Sequence, residues 1–184
     1  DIVGMGVVGA GSIGIRAALE HLSLADVQDR VRLAAVCDPA PERAEAAAEK
    51  YDVAGHYVTY EELLADPAVD AVTLCSPIGL HYEQGMMAIQ AGKHVHFNKT
   101  MAITVGECDE LIASAAEADV RLVASPGMML MPHNRRIRKA ILEGRLGKLA
   151  WAVTGATMNV YHLQEEVRQG DDPLSNIDPS WYWK

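Results

Sequence analysis

A glycine-rich turn near the start of the chain has residue types and spacing suited to binding an anion through backbone amides. Residues 9–14 read Gly-Ala-Gly-Ser-Ile-Gly, directly after an apolar run over residues 2–8 and directly before a helical pattern. In such a strand–turn–helix, the first glycine permits a tight turn, the second lets a phosphate approach the backbone, and the third lets helix and strand pack closely. The free amides of the first helical turn favour an anion. The residues predicted to bind the pyrophosphate of a dinucleotide are Gly9, Gly11, Ser12, Ile13 and Gly14.

A carboxylate at the end of the second predicted strand completes this fingerprint. The apolar run over residues 31–36 ends at Cys37 and Asp38, and Asp38 follows Gly14 at close to the spacing of about 20 residues expected for a ribose-binding acid. Such a carboxylate repels a 2′-phosphate, so NAD is predicted as the cofactor and NADP is disfavoured. Arg43 lies one helical turn further on and could reach a phosphate instead. The alternative role of Asp38 is to cap the helix predicted over residues 41–51.

Composition restricts the partners of the chain. The 184 residues carry a net charge of −9 and form no basic stripe, which argues against binding nucleic acid. No run approaches the roughly 20 apolar residues that span a bilayer, which argues against a membrane protein. Cys37, Cys75 and Cys108 are far apart and form no C-x-x-C motif, so we expect reduced thiols in a cytoplasmic protein.

Strand and helix patterns alternate along the chain, which predicts an α/β protein with a doubly wound parallel sheet of the Rossmann type. The predicted strands are 2–8, 31–37, 56–58, 71–75, 93–97 and 120–124. The predicted helices are 12–23, 41–51, 60–65, 79–91, 104–118 and 132–143.

The alternation stops near residue 125, which predicts two domains. Residues 1–125 would form the dinucleotide-binding domain, and residues 126–184 the incomplete beginning of an α+β domain with a strand over 149–160. One helix and one strand cannot bury two faces, so we expect the 184 residues alone to bind nucleotide without turnover and to self-associate. We also expect a homo-oligomer formed through the sheet of the second domain.

Two loops at the carboxyl ends of predicted strands supply further site candidates, because ligands bind at that edge of such sheets. The first loop spans residues 75–81 and the second residues 96–100, which include Lys99. Lys99 could bind a substrate hydroxyl, and its alternative is a solvated loop lysine. His94 and His96 share one strand face, but no third ligand accompanies them, so no metal site is predicted.

Other residues have mainly structural interpretations. Met128 to Met131 are predicted to pack in a core, and Arg135, Arg136, Arg138 and Lys139 to form a solvated helix face. Tyr161, His162, Glu165 and Glu166 would line a substrate cleft only if the second domain covers it.

Several segments resemble the glucose–fructose oxidoreductase / inositol 2-dehydrogenase family over nearly the whole chain. The segments that carry this resemblance are Gly9 to Gly14, Asp38 to Ala44, Tyr60 to Leu64, Ala71 to Pro77, His81, Ala91 to Val95 with Lys99, and Glu143 to Lys148. The resemblance implies an NAD-dependent oxidoreductase that transfers a hydride between nicotinamide and a carbinol carbon of a sugar or polyol. It implies catalysis by Lys99 and adds Ser76, Pro77, His81, Asn98 and Lys99 to the expected cofactor site.

The chain departs from the family pattern around Lys99. Members usually have Glu-Lys-Pro where this chain has Asn98-Lys99-Thr100, and Thr-Pro-Asn where it has Ser76-Pro77-Ile78. Because a cis peptide bond before a residue other than proline costs about 2.5–4 kcal/mol, we expect the Lys99 backbone to lie differently from that of the family. The altered triplet also fits an alternative function, a nucleotide-binding sensor without turnover. The resemblance places the acid–base residue beyond Lys184.

Overall fold

Parallel strands and intervening helices form the part of the chain that carries the glycine-rich turn. A computed structural model describes residues 2–125, 127–153, 155 and 172–174. Its strands are β1 (Val3–Val8), β2 (Val31–Cys37), β3 (Gly55–Tyr57), β4 (Ala71–Leu74), β5 (His94–Phe97) and β6 (Leu122–Ala124). Helix α1 covers residues 12–22 and includes a π-helical stretch, Gly14–Leu19, and a final turn, Glu20–Leu22. The other helices are α2 (Pro41–Tyr51), α3 (Tyr60–Ala65), α4 (His81–Gln90), α5 (Val105–Glu117) and α6 (Pro132–Leu142). Short 3₁₀ turns occupy Ala25–Val27, Ile78–Leu80 and Gly127–Leu130.

Local sequence signals account for several of these boundaries. Thr59 and Thr104 each precede a glutamate by three positions, and both pairs form capping boxes at the starts of α3 and α5. Pro41 and Pro132 occupy the first turns of α2 and α6, where a missing N–H costs nothing. The strands and helices predicted within residues 2–143 are confirmed to within about two residues of their predicted ends, a precision typical of boundary assignment.

The strand order explains where a ligand can bind. The six strands described form one parallel sheet in the order β3-β2-β1-β4-β5-β6. The chain runs outward on one side from β1 to β3 and then returns to the other side of β1 with β4. This reversal leaves a crevice outside the carboxyl ends of β1 and β4, the position at which sheets of this type bind ligands. The α/β Rossmann fold predicted from the sequence is confirmed.

Two hydrophobic clusters hold the sheet between its helices. One cluster includes Leu63, Phe97 and Leu111 and packs α3, α4 and α5 on one face. The other includes Val7, Leu19 and Ala47 and packs α1 and α2 on the opposite face. Both faces of the central strands are therefore buried, which agrees with their nearly continuous apolar sequences. None of the described helices combines the length and the apolar character needed to cross a bilayer.

The residues described fall into two compact units. The first comprises residues 2–125 and 172–174, here called the nucleotide unit, and the second comprises residues 127–153 with 155. In the second unit the basic face of α6 is exposed, as predicted. Met128 to Met131 are 42–74% exposed, so the predicted core packing of these residues is wrong for the chain described. Residues 149–153 and 155 form no strand, contrary to prediction, and the rest of the predicted strand lies outside the described residues.

A short segment far along the chain contributes to the nucleotide unit. Leu174 is 8% exposed and belongs to the cluster that includes Ile15 and Ala47. Its backbone N–H donates to a carboxylate oxygen of Asp172 at 3.0 Å, which closes a tight turn. Residues 172–174 therefore group with residues 2–125, whereas the sequence assigned them to the second domain.

This packing makes Leu174 important for stability. We expect Leu174→Ala to lower the free energy of unfolding of the nucleotide unit by about 2–3 kcal/mol, because the substitution leaves a cavity in a buried cluster. Urea denaturation of the variant measures this loss. Leu149 is 51% exposed, so Leu149→Ala is the matched control and should change the stability by less than about 0.5 kcal/mol. Equal stabilities of the two variants would contradict a packing role for Leu174.

Candidate functional site

The glycine-rich turn joins β1 to α1 and faces the crevice at the carboxyl edge of the sheet. Gly9 has a φ of +95°, and a Cβ there would lie 3.1 Å from the carbonyl carbon of Cys75. A Cβ on Gly14 would overlap the carbonyl oxygen of Gly9. A Cβ on Gly11 would meet no atom of the described structure within 4 Å, so it would extend into open space. Two of the glycines are thus required by the fold itself, whereas Gly11 leaves room beside the backbone for a ligand.

The first turn of α1 is suited to an anion in that space. Ser12 and Ile13 begin the helix, and Ile13 is 36% exposed. The first backbone N–H groups of any helix lack acceptors within the helix, and the helix dipole adds positive potential at this end. The turn therefore supplies donors and space, the two properties that a pyrophosphate requires.

Asp38 lies at the end of β2 and is bonded to the glycine-rich turn. Its side chain is buried, and its carboxylate accepts a hydrogen bond from the N–H of Ala10 at 2.9 Å. The other carboxylate oxygen accepts from the N–H of Ala40 at 3.0 Å. Ala40 is the N-cap residue of α2 and has no side-chain cap, so Asp38 is not the helix cap that the alternative interpretation required. Each carboxylate oxygen retains acceptor capacity for a ribose hydroxyl.

Arg43 places a positive charge next to this carboxylate. Its Nη1 atom lies 3.8 Å from Oδ1 of Asp38, and its Nε donates to the carbonyl oxygen of Pro173 at 3.4 Å. Both side chains are largely buried, with exposed fractions of 19% for Arg43 and 5% for Asp38. The guanidinium is thus held over the acid that the sequence assigned to ribose binding.

The loops after β4 and β5 lie side by side at the same edge of the sheet. Asn98 donates a backbone N–H to the carbonyl of Leu74 at 3.2 Å, and its side-chain amide lies 4.0 Å from the sulfur of Cys75. The hydroxyl of Ser76 donates to the side-chain oxygen of Gln84, and the carbonyl of Pro77 accepts from Leu80 at 2.9 Å. Lys99 follows in the second loop and is exposed. The predicted site residues of both loops therefore belong to one edge.

The backbone at Lys99 differs from expectation. The peptide bond between Lys99 and Thr100 is cis, although the substitution of Thr100 for proline led us to expect otherwise.

His81 occupies a position that the sequence did not predict. Its side chain is 1% exposed, with one ring nitrogen 2.5 Å from the carbonyl oxygen of Thr100 and the other 3.1 Å from that of Ser76. At the start of a helix a histidine could either touch the nicotinamide or face water, and the burial of His81 rules out the second arrangement. Each ring nitrogen faces a backbone carbonyl oxygen, so His81 contacts both loops of the predicted cofactor site.

The two histidines of β5 have hydrogen-bond partners within the protein. His96 lies 2.7 Å from the hydroxyl of Thr73, and burial lowers the pKa of its imidazole. His94 accepts a hydrogen bond from the N–H of Arg121 at 2.9 Å. Burial also raises the pKa of Cys37 to about 12, so its thiol stays protonated. Within the described ranges, no three His, Cys, Asp or Glu side chains converge as metal ligands would, and the three cysteines are free.

Two further groups were missed by sequence reasoning. The N–H of Ala10 binds Asp38, and the Pro173 carbonyl binds Arg43. The contact between Ala10 and Asp38 follows from the adjacency of β1 and β2, whereas no local signal in the sequence places Pro173 beside Arg43. Tyr161, His162, Glu165 and Glu166, which were considered for a substrate cleft, lie outside the described residues.

Known proteins match this chain both in sequence and in structure. The sequence model of an oxidoreductase family with an NAD-binding Rossmann fold matches residues 3–125. The chain is 38% identical over 124 residues to 1,5-anhydro-D-fructose reductase from Ensifer adhaerens, covering 67% of this chain and 37% of that protein. It is 32% identical over 144 residues to myo-inositol 2-dehydrogenase from Thermotoga maritima, covering 78% and 42% respectively. The chain thus spans well under half the length of these relatives.

Solved structures show the same similarity. KijD10, a 3-ketoreductase from Actinomadura kijaniata in complex with TDP-benzene and NADP, superimposes with a TM-score of 0.71 at 27% identity, covering 78% of this chain and 44% of that chain. The WlbA dehydrogenase from Bordetella pertussis in complex with NADH and UDP-GlcNAcA gives a TM-score of 0.72 at 30% identity, covering 80% and 44%.

Proposed function

Because the chain belongs to the Gfo/Idh/MocA family of oxidoreductases with an NAD(P)-binding Rossmann fold, we propose that it is the nucleotide-binding part of a sugar or polyol dehydrogenase. The observation that carries this proposal is the open space beside Gly11 at the start of α1, next to the carboxylate of Asp38. That arrangement fits a dinucleotide, because a pyrophosphate needs close approach to the backbone and a ribose needs an acceptor nearby.

Named residues would hold the two ends of the cofactor. The turn from Gly9 to Gly14 would bind the pyrophosphate through backbone N–H groups, and Asp38 would accept hydrogen bonds from the adenosine ribose. The loops that contain Ser76 and Asn98 would flank the nicotinamide. When bound, the nicotinamide ring accepts or supplies the hydride, which is chemistry that no amino-acid side chain provides.

Lys99 would act on the substrate. Its ammonium stands in the loop after β5, at the ligand-binding edge, and carries three hydrogen-bond donors. It would donate to the oxygen of the reacting carbinol and hold that oxygen as the hydride leaves carbon. As the carbinol hydroxyl gives its proton to a separate acid–base group, the ammonium would stabilise the alkoxide that forms, and the alkoxide then expels the hydride to become the carbonyl. In the reverse direction the same ammonium would stabilise the negative charge that develops on the carbonyl oxygen as the hydride arrives.

The substrate class is tested by turnover. The protein that contains this chain is incubated with NAD and a panel of sugars and polyols, and formation of NADH is followed by absorbance. We expect turnover of at least one member of the panel. Binding of NAD without turnover of any member would instead favour the sensor function, to which the altered Asn98-Lys99-Thr100 triplet also points.

The carboxylate of Asp38 leads us to propose NAD over NADP. In its proposed role Asp38 would place a negative charge where NADP carries its 2′-phosphate, and the nearby guanidinium of Arg43 would partly offset that charge. We expect NAD to bind at least about tenfold more tightly than NADP, which corresponds to about 1.4 kcal/mol. Titration calorimetry with both cofactors measures the ratio.

Substitution of Asp38 tests the cause of this preference. In Asp38→Ser the ratio of the NAD affinity to the NADP affinity should fall towards unity or below it, because the carboxylate that repels the 2′-phosphate is gone. In Glu42→Ser, a matched change at an exposed neighbour, the ratio should stay the same. Equal or tighter binding of NADP by the unmodified protein would contradict the ribose role of Asp38 and point to Arg43 as a phosphate ligand.

A further inference from the structure

We propose that His81 is a positioning residue that ties the loop after β4 to the loop after β5 and so fixes the backbone on which Lys99 stands. The proposal rests on the function proposed above for Lys99. His81 itself is buried, and its role is to hold the groups that meet the ligand.

The contacts of the imidazole connect two separate loops. One ring nitrogen lies 2.5 Å from the carbonyl oxygen of Thr100, and the other lies 3.1 Å from the carbonyl oxygen of Ser76. Thr100 directly follows Lys99, and Ser76 directly follows Cys75 at the end of β4. A single side chain from the first turn of α4 therefore reaches both loops that flank the predicted nicotinamide position.

The surroundings of the ring restrict its movement. The side chain is 1% exposed, and the ring centroid lies 6.0 Å from that of Phe97, a fully buried residue at the end of β5. A ring packed in this way cannot turn to other partners without opening the core. The His81 ring is therefore the fixed partner in the contact with Thr100, and this contact sets the position of the exposed loop.

In the part of the chain that the structure describes, the other polar contacts between the two loops involve Asn98. Its backbone N–H donates to the carbonyl of Leu74, the last residue of β4, at 3.2 Å, and its side-chain amide lies 4.0 Å from the Cys75 sulfur. A sulfur acceptor forms a weak hydrogen bond. A neutral imidazole carries one N–H donor, and the shorter of the two distances points to the Thr100 carbonyl as its acceptor. Removing the ring nitrogens would therefore release the Thr100 carbonyl.

The first turn of α4 also reinforces the Ser76 side of this connection. Gln84 lies three positions after His81, on the same side of the helix, and its side-chain oxygen accepts the hydroxyl of Ser76. His81 and Gln84 thus contact the backbone carbonyl and the side chain of one residue. Helix α4 therefore contacts the loop after β4 at two points and the loop after β5 at one.

The contacts of His81 would affect function through the position of the Lys99 backbone. A lysine side chain is flexible, so its reach is set by the position of its backbone, and an error of about 1 Å in a reacting geometry can cost about 100-fold in rate. His81 holds the carbonyl one residue beyond Lys99. We therefore expect His81 to influence turnover strongly and binding of the dinucleotide only weakly, because the residues at Gly9 to Gly14 and Asp38 do not contact it.

Amide hydrogen exchange, read by mass spectrometry, tests the proposal in the protein that contains this chain. His81→Phe keeps an aromatic ring beside Phe97 but removes both nitrogens, and we expect at least about tenfold faster exchange over residues 98–103. His81→Gln supplies an amide nitrogen with two donors and should keep exchange there within about threefold of the wild type. His56 is exposed on the edge strand β3, so His56→Gln is the matched control and should change nothing in this segment.

The kinetic result separates positioning from general stability. In His81→Phe we expect kcat to fall at least about tenfold while the Kd for NAD changes by less than about threefold, and we expect His81→Gln to restore kcat. Unchanged exchange over residues 98–103 in His81→Phe, or an equal increase throughout the nucleotide unit, would overturn the proposal. If His81→Phe does not fold, His81→Leu, which also removes both ring nitrogens, takes its place, and the same two outcomes would overturn the proposal. Absence of turnover in the wild type would count against the proposed function alone, because hydrogen exchange needs no substrate.

Discussion

Replacing Gly11 with valine should abolish dinucleotide binding while the nucleotide unit stays folded. The Cβ of Gly11 would extend into open space, so the side chain meets nothing in the protein itself. The same space is where the pyrophosphate would approach the backbone. We expect the affinity for NAD to fall at least about 100-fold, or about 2.7 kcal/mol, with an unchanged circular dichroism spectrum. Titration calorimetry measures the affinity.

Two other glycines serve as controls for this variant. Gly106 lies in the first turn of α5, where a Cβ would also meet no described atom within 4 Å, so Gly106→Val should bind NAD as the wild type does. Gly14→Ala should behave differently from both, because its Cβ would overlap the carbonyl of Gly9 and destabilise the fold. Normal NAD binding by a folded Gly11→Val variant would show that the turn has only a structural role.

Replacing Lys99 with alanine should reduce turnover strongly with little effect on the cofactor. Lys99 is exposed at the ligand edge, where its ammonium would donate to the reacting oxygen of the substrate. We expect kcat to fall by about 10²–10⁴-fold, the range typical for loss of a group that stabilises the transition state. The Kd for NAD should change by less than about threefold, because the pyrophosphate and ribose contacts remain. Steady-state kinetics and calorimetry measure the two quantities.

A second lysine and a conservative variant make this test specific. Lys50 is exposed near the end of α2, so Lys50→Ala removes the same charge away from the ligand edge and should leave kcat unchanged. Lys99→Arg keeps the charge but replaces a compact ammonium with a planar guanidinium, and should recover only part of the activity. Unaltered kcat in Lys99→Ala with a good substrate would assign Lys99 to the solvated loop lysines.

Local sequence patterns were sufficient to predict the elements of the sheet and the candidate residues of the nucleotide site. The glycine spacing, the T-x-x-E capping boxes at Thr59 and Thr104, and the apolar strands are local patterns, so they predict local structure without knowledge of the fold. Asp38 could be identified for the same reason, since its role depends on its distance from the glycines and on the end of a strand. The family resemblance added Lys99, which is exposed in the loop after β5 and whose catalytic role stays a prediction.

The hydrogen bonds and packing that hold these residues in place depend on the tertiary structure. The bond between Asp38 and the N–H of Ala10 exists because β1 and β2 are neighbours in the sheet, and the two carbonyls beside His81 meet because β4 and β5 are neighbours. Leu174 packs in the core although many residues separate it from its partners in sequence. Such contacts depend on which elements come together in space, and periodicity, which reports only the face of each element, carries no information about them. The residues that could bind the ligand were therefore accessible from the sequence, whereas the residues that hold them in place required the fold.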